Sequence, residues 1–280
     1  MLRKSLTMAV ILGATALSSA AFAQDEGGFN RDEHFNGLYV TGFGGVAAQP
    51  SDQGDVTVFD TNGDGQFTDN VRTASGANAF TGFCNGRATS NVPGTGCSND
   101  KDRVEYGGRI GYDMRMGNIV VGALLEGSGN DILDGTTGYS STPAFYELQR
   151  GIDYNISARA RLGYTPGGGA LFYATGGVST AKINHSFRTS NTANTFTEVD
   201  GDKMVWGYQV GGGAEVMLTN NLSLGVEYLF NRYNDDKYYV QVSGGGATNP
   251  FVVSGGNVRI QPSSENFTYQ SFRGTLSYRF

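Results

Sequence analysis

The feature that most constrains the fold is a strict two-residue alternation of apolar and polar side chains over residues 149–164. One face carries apolar residues, from Ile152 to Tyr164, and the other carries polar residues and glycines. This period is that of a β-strand and not that of a helix. The segment is also longer than the usual strand of about 5–6 residues. We therefore predict a long strand between one apolar and one polar environment.

The alternation recurs along the chain. Clean segments follow at 104–115, 206–216, 222–231 and 271–280, and less clean ones at 38–46, 119–128 and 171–183. Both faces of segment 171–183 are mixed, so its faces stay unassigned. The pattern predicts eight strands. A mean hydropathy of −0.29 does not argue against a membrane protein, because apolar and polar residues alternate along such strands and their hydropathies cancel in the mean.

The connections between these strands alternate in length. Tight turns fall at 116–118, 165–169 and 218–221. Long connections fall at 47–102 (loop A), 129–148 (loop B), 184–202 (loop C) and 232–267 (loop D). Short turns on one side and long loops on the other are typical of membrane β-barrels. We predict an all-β fold, an eight-stranded antiparallel transmembrane up-and-down β-barrel with mobile surface loops.

The N-terminal segment is typical of an export signal. Basic Arg3 and Lys4 precede an apolar run, and Ala21-Phe22-Ala23 resembles a cleavage site. The apolar run is shorter than the roughly 20 residues that a spanning helix needs. We predict a signal peptide over 1–23, cleaved after Ala23, and a barrel over 24–280. The net charge of −6 gives no support for nucleic-acid binding.

The charged residues of the strands share one face, which would point into the barrel if the apolar face contacts lipid. The predicted interior acids and bases balance, as an enclosed set should, because an unpaired charge removed from water is costly. Eight strands leave room for side chains only, which predicts a plug of ion pairs. A soluble sandwich or lipocalin-like barrel is the alternative. The predicted interior charges are Glu105, Arg109, Asp113, Arg115, Glu126, Asp153, Arg159, Arg161, Glu215, Glu227, Arg273 and Arg279.

Three features together resemble a known family: "FNGLYVTGFGG" after the signal, eight alternating strands and the terminal "LSYRF". They resemble outer-membrane β-barrels that include OmpA-like and Opa-like small barrels and the porin-family surface antigens of alphaproteobacteria. The resemblance implies the outer membrane of a Gram-negative envelope, with lipid, lipopolysaccharide and the barrel assembly machinery as partners. It also implies that Leu276, Tyr278 and Phe280 form the assembly signal.

The segment "DTNGDGQFTD" in loop A is similar to a calcium-binding loop. Oxygen ligands at alternate positions, with a glycine for the sharp turn, suit a hard cation. Val71 stands where the bidentate glutamate should be, so we expect weak calcium binding or an Asx-rich turn without metal. The candidate ligands are Asp60, Asn62, Asp64, Gln66 and Asp69. We predict no other cofactor.

Cys84 and Cys97 lie 13 positions apart, and an exported chain favours a disulfide between them over two free thiols. Only two histidines follow the signal, His34 and His185, and Ser186 beside His185 would point to the opposite face of a strand. We therefore predict no enzyme. The expected function is envelope-structural, with surface recognition by the loops as a further role and an extracellular ligand unknown. The alternative is a narrow porin for small solutes or ions.

We expect removal of Phe280 to lower the amount of barrel that reaches the membrane in cells, because the assembly machinery would read the terminal aromatic residue. Quantitative blotting of membrane fractions measures this. A yield equal to that of the intact chain would show that Phe280 is not part of an assembly signal.

Overall fold

The computed structural model describes residues 34–49, 54–94, 96–100 and 102–280. The predicted signal peptide, 1–23, lies outside the described residues. None of the helices in these ranges is long and apolar enough to cross a membrane. The elements are β1 (Gly37–Ala48), β2 (Thr57–Asp60), β3 (Phe80–Asn85), β4 (Arg87–Ala88), β5 (Cys97–Ser98), β6 (Arg103–Met116), β7 (Ile119–Asn130), β8 (Leu133–Ser140), β9 (Ala144–Tyr164), β10 (Ala170–Thr189), β11 (Thr195–Val199), β12 (Asp202–Met217), β13 (Leu222–Asn234), β14 (Tyr239–Ser243), α1 (Pro250–Val253), β15 (Arg259–Pro262) and β16 (Asn266–Arg279).

Eight strands form a closed antiparallel barrel. Their spatial order is β1, β6, β7, β9, β10, β12, β13 and β16, and β16 pairs with β1 to complete the circle. At this closure Tyr39 lies opposite Arg279. Three tight turns and the start of β1 define a short-turn end, and loops A to D define a long-loop end. The predicted fold class is confirmed.

The outer wall of the barrel is apolar. Ile156, Leu162 and Phe172 are each more than half exposed, as a lipid-facing side chain in an isolated molecule should be. Aromatic side chains on this wall form bands near both ends of the barrel, which suits the membrane–water interfaces. The band at the short-turn end contains Tyr112, Tyr164, Tyr278 and Phe280, and the other contains Tyr106, Tyr154 and Trp206.

A β-bulge in β9 overturns one part of the predicted alternation. The register between β9 and β10 shifts at Lys182 and Ile183, which leaves Asp153 as an extra residue. As a result, Ile152 is inside the barrel and only 2% exposed, whereas the sequence placed it outside. The prediction that Asp153 is an interior charge is wrong. Its carboxylate lies on the outer surface, 3.4 Å from the ammonium of Lys182.

The strand with unassigned faces is β10. Its inner face carries Leu171, Tyr173 and Thr175, all buried, and its outer face carries Phe172 and Val178, both exposed. The sequence pattern is mixed because apolar and aromatic side chains also fill the barrel interior near the short-turn end. Hydrophobicity alone therefore does not identify the lipid face of this strand.

Loops A to D contain most of the remaining strands and form a folded cap. β9 and β10 continue beyond the barrel, and β8 and β3 extend their sheet. A second sheet has the order β11, β14, β15 and β2, so it combines segments of loops A, C and D. Most of the predicted long loop at 129–148 belongs to the hairpin of β8 and β9.

One apolar cluster joins the two sheets of the cap. Phe80 lies near its centre, with ring centroids 4.4 Å from Phe59, 5.0 Å from Tyr146 and 6.1 Å from Phe251. These rings come from loops A, B and D, whose segments are far apart in the chain. Burial of such large side chains supplies stabilisation that hydrophilic loops lack. The cap is thus a packed unit, which corrects the expectation of mobile loops.

The facing of β9 can be tested at Ile156, which is 52% exposed on the outer wall. We expect Ile156→Arg to lower the free energy of unfolding in lipid by about 2–4 kcal/mol, because a cation would face hydrocarbon. Ile156→Leu is the matched control and should cost much less. Urea titration in vesicles, followed by tryptophan fluorescence, measures both. An Arg variant as stable as the Leu variant would contradict this orientation.

The packing of the cap can be tested within α1. Phe251 is 3% exposed, whereas Val253 is 43% exposed on the same helix. We expect Phe251→Ala to destabilise the cap by about 3–5 kcal/mol and Val253→Ala to have little effect. Limited proteolysis of the refolded protein should cut the cap of the first variant and spare the barrel. Equal resistance of both variants would show that the cluster does not hold the cap together.

Candidate functional site

The barrel interior contains a lower ring of two acids and two bases near the short-turn end. The Arg161 guanidinium donates to Asp113 and, at 3.1 Å, to Glu215. Arg279 bonds the same two carboxylates, at 2.9 Å and 3.1 Å. The four side chains therefore form a closed cycle of charge-assisted hydrogen bonds. The ring of Tyr39 stacks under both arginines, at 4.9 Å and 4.8 Å.

An upper ring of three acids and three bases lies above it. Arg109 donates two hydrogen bonds to Glu227, at 2.8 Å and 2.6 Å. Arg273 donates two to Glu105, at 3.0 Å and 2.6 Å, and one to Glu126 at 2.5 Å. The sixth member, Arg159, also bonds Glu126. Each ring is neutral by itself, so no net charge is buried.

Two of the twelve predicted interior charges are not in these rings. Asp153 lies on the outer surface, as described above. Arg115 faces inward but is half-buried at the turn after β6, where its Nε donates to the carbonyl of Gly117 at 2.7 Å. Because the two absent residues have opposite charges, the remaining ten are still balanced.

Inward-facing glycines make room for these bulky side chains. A Cβ at Gly122 would stand 2.0 Å from an oxygen of Asp113, and a Cβ at Gly111 would stand 2.4 Å from the ring of Tyr39. Real atoms do not approach so closely, so the lower ring requires glycine at both positions. The high glycine content thus serves the packing of the interior as well as the turns.

Apolar layers close the barrel on both sides of the rings. At the short-turn end Phe35 is fully buried and packs with Leu171 and Val120. Toward the long-loop end, a second cluster includes Ile152 and Phe267. Between this cluster and the upper ring, polar side chains bond one another. For example, Asn155 donates to the hydroxyl of Tyr269 at 3.1 Å.

A third charged cluster joins the barrel to the cap. Arg150 donates to Asp134 at 2.6 Å, and Asp235 lies 2.8 Å from the Nε2 atom of His185. The imidazole stacks on Tyr238 with a centroid distance of 4.0 Å. Burial, reinforced by the nearby Glu198 carboxylate, raises the pKa of Tyr238. Sequence analysis missed this cluster because Asp134, His185 and Asp235 lie beyond the alternating segments, and no period relates them to Arg150.

The candidate calcium ligands lie in a turn whose acceptors are already engaged. Asp60 is fully buried and accepts hydrogen bonds from the amides of Gly63 and Gly65, at 2.6 Å and 3.1 Å. Arg259 lies 3.4 Å from the same carboxylate. The amide and hydroxyl of Thr61 lower the pKa of Asp69 by hydrogen bonding to it.

The exposed members of this turn bond their own neighbours. Asn62 accepts from the amide of Asp64 at 2.9 Å, and Asp64 accepts from that of Gln66 at 2.7 Å. Within the described ranges, no group of three or more His, Cys, Asp or Glu side chains could hold a metal ion. These contacts are those of the Asx-rich alternative, and calcium binding stays a prediction.

The two cysteines are joined in the cap. Cys84 and Cys97 form a disulfide with a Cα–Cα distance of 6.3 Å. The hairpin they close also bonds β9, since the amide of Ala88 donates to Glu147 at 2.8 Å. Arg188 donates to the same carboxylate at 2.5 Å. The disulfide therefore belongs to the anchoring of loop A on the cap.

The residues of the implied assembly signal form one outward row. Leu276, Tyr278 and Phe280 are 50%, 47% and 70% exposed on the outer wall of β16. Between them, Arg279 faces inward and belongs to the lower ring. The last strand thus combines an exposed apolar edge with a buried charge, as the alternation predicts.

Comparisons with known proteins agree with this architecture. A 31 kDa outer-membrane immunogenic protein of Brucella melitensis is 29% identical over 125 residues, which are 44% of this chain and 51% of the relative. A 22 kDa outer membrane protein of Rhizobium leguminosarum is 29% identical over 167 residues, or 58% of this chain and 68% of the relative. The chain thus spans about half the length of the Brucella relatives it matches. No family model matches the sequence.

Among solved structures, the outer membrane protein OprG from Pseudomonas aeruginosa is similar in fold. The TM-score is 0.50 at 11% identity, with 88% of this chain and 98% of that one covered. At such low identity the likeness concerns the fold alone. The curated relatives and the closed barrel together confirm the predicted location. The chain is an outer-membrane protein whose membrane-spanning part is an eight-stranded antiparallel β-barrel.

Proposed function

We propose that this protein is a non-conducting, non-enzymatic envelope protein whose closed barrel anchors a folded cap for recognition at the cell surface. The burial of the ten ring charges carries the proposal, since none of them is more than 6% exposed. A barrel that passes solutes needs water along its axis, and that water would leave some of these charges accessible.

The layers above and below the rings also argue against the porin alternative. Phe35 closes the short-turn end and the Ile152 cluster closes the other, so ions would cross two apolar layers without water. The buried rings cannot move apart cheaply either. Separation of Arg273 from Glu105 and Glu126 would leave unpaired charges buried in the barrel, which is strongly unfavourable.

The environment of the histidines supports a non-enzymatic role. The Nε2 atom of His185 is bonded to Asp235, and its Nδ1 atom faces the carbonyl of Gly201. Both ring nitrogens therefore face oxygen acceptors and neither is directed at a nucleophile. Both cysteines of the chain are in the disulfide, which removes the remaining strong nucleophile.

The partners proposed here follow from the two surfaces. The apolar wall would contact outer-membrane lipid, with Lys182 and Arg232 on its outer side near the cap available to lipopolysaccharide phosphates. The outward row of Leu276, Tyr278 and Phe280 would engage the barrel assembly machinery. Loop A would bind calcium weakly through Asp60 and its neighbours. No feature supports nucleic-acid binding.

Single-channel recording from the refolded full-length protein in a planar bilayer tests the proposal. We expect no conductance steps, because the rings and apolar layers seal the axis. Heat-modifiable gel migration of the same sample establishes that folded barrel is present. An absence of conductance steps then shows that the folded barrel is closed. Steady steps of reproducible size would refute the sealed anchor and establish the porin alternative.

A further inference from the structure

We infer that the outer end of the cap carries a binding site for an uncharged glycan. The site is a cavity of about 520 Å³ between the ends of loops A to D farthest from the barrel. Its size lies within the range of about 300–1,000 Å³ that is usual for small-ligand sites. This inference rests on the proposed recognition role of the cap and names the chemistry of what the cap would recognise.

All four long loops contribute to the cavity. Phe80 comes from loop A, Thr142 from the turn between β8 and β9, Asn191 from the turn after β10, and Phe251 from α1 in loop D. A cavity assembled from four separate segments exists only when the cap is folded. The barrel fixes the positions of the residues at which these loops join the membrane-spanning strands. The site is therefore formed before any ligand binds.

The inner wall of the cavity is aromatic. Phe80, Tyr146 and Phe251 form a triangle of rings with centroid separations of 5.0, 5.7 and 6.1 Å. Each ring is 4% exposed or less, so the rings form the floor of the cavity and not an open stacking face. A rigid apolar floor suits the apolar C–H faces of pyranose rings, which pack against it without losing a hydrogen bond.

The rim is built from amides and hydroxyls. The Nδ2 atom of Asn191 donates to the hydroxyl of Tyr146 at 2.8 Å and to Asn194 at 3.0 Å, and Asn249 donates to Asn194 at 2.9 Å. Gly245 is required behind this network, since a Cβ there would stand 2.9 Å from both amides. The hydroxyls of Thr142, Thr192 and Thr248 line the same cavity and are donors and acceptors for sugar hydroxyls.

The cavity is uncharged, and this observation selects the ligand class. None of its 16 lining residues is an acid, a lysine, an arginine or a histidine. An ionised ligand would lose its hydration in the cavity without gaining an ion pair, because no opposite charge lines the wall. Acidic glycans, nucleotides and phosphates are therefore disfavoured. A purely apolar ligand would displace water from the threonine hydroxyls of the rim without replacing its hydrogen bonds. A neutral oligosaccharide can pack its C–H faces against the apolar wall and form hydrogen bonds with the polar rim.

The test uses the refolded full-length protein in lipid nanodiscs, because sugar-headed detergents would occupy the site themselves. An array of neutral and acidic oligosaccharides provides the first readout, and titration followed by saturation-transfer NMR provides the affinity. We expect neutral glycans to bind. For the pair lactose and sialyllactose, we expect the acidic member to bind at least about tenfold more weakly than the neutral one.

Two substitutions at exposed threonines locate the site. Thr192→Trp should fill the mouth of the cavity and raise the dissociation constant by at least about tenfold. Thr68→Trp is the matched control, since Thr68 is also exposed in the cap but does not line the cavity, and it should leave the constant within about twofold. Circular dichroism and protease resistance verify that both variants retain the cap.

Asn249→Asp is a nearly isosteric probe of the charge argument. An aspartate keeps the oxygen that accepts from the Phe251 amide, so α1 stays capped. It also adds a negative charge beside the cavity and removes the donor to Asn194, and we expect weaker binding of every neutral glycan.

The inference would be overturned by an array without neutral binders, by a preference for acidic glycans, or by unchanged binding in Thr192→Trp. These outcomes differ from failure of the proposed function. If the bilayer shows no conductance and the array shows no glycan binding, the proposal of a non-conducting anchor stands and only the glycan site is refuted.

Discussion

The structure depends on the neutralisation of charge inside a narrow barrel filled by side chains. Five acids and five arginines occupy the barrel interior, and each is within bonding distance of an opposite charge. Such pairs add little stability relative to an apolar core, but a broken pair is costly. The registers of the six strands that carry these charges, β6, β7, β9, β12, β13 and β16, are therefore linked, because a one-residue slip of any of them would turn its charges toward lipid. The ion pairs in this barrel thus determine the strand register and the closure of the barrel more than they raise its stability.

Much of the barrel could be predicted from sequence for the same reason. A strand between lipid and a charged interior must keep a period of two, so 271–280 and the lower part of 149–164 show their faces directly. Ten of the twelve predicted interior charges are in the rings. The failures have physical causes. The bulge at Asp153 inserts one residue without any compositional signal, and β10 is ambiguous because Leu171 and Tyr173 face inward to close the short-turn end.

The cap was beyond sequence reasoning because its contacts join distant segments. Phe59, Phe80, Tyr146 and Phe251 come from separate segments of loops A, B and D, and no periodicity relates them. The joint formed by Arg150, Asp134, His185 and Asp235 has the same character, since its members lie in β9, β8 and β10 and directly after β13. Composition suggested hydrophilic cover, whereas the apolar residues within the loops are enough for a small core once the barrel brings them together. The calcium-like segment shows a different limit of sequence reasoning, because one spacing of Asp and Asn residues fits both a weak calcium loop and an Asx-rich turn.

The barrel also explains how loops of this length can stay ordered. β9 and β10 run without interruption from the membrane into the cap, so two of its strands are extensions of a rigid sheet. Ordering the loops then costs less entropy than it would in a free chain, because their ends are already fixed. The remaining cost is offset by the aromatic cluster, by the disulfide in loop A and by the charged joint. The packed barrel and the ordered cap are therefore linked. The ion-paired rings hold in register the strands on which the cavity of the cap is built.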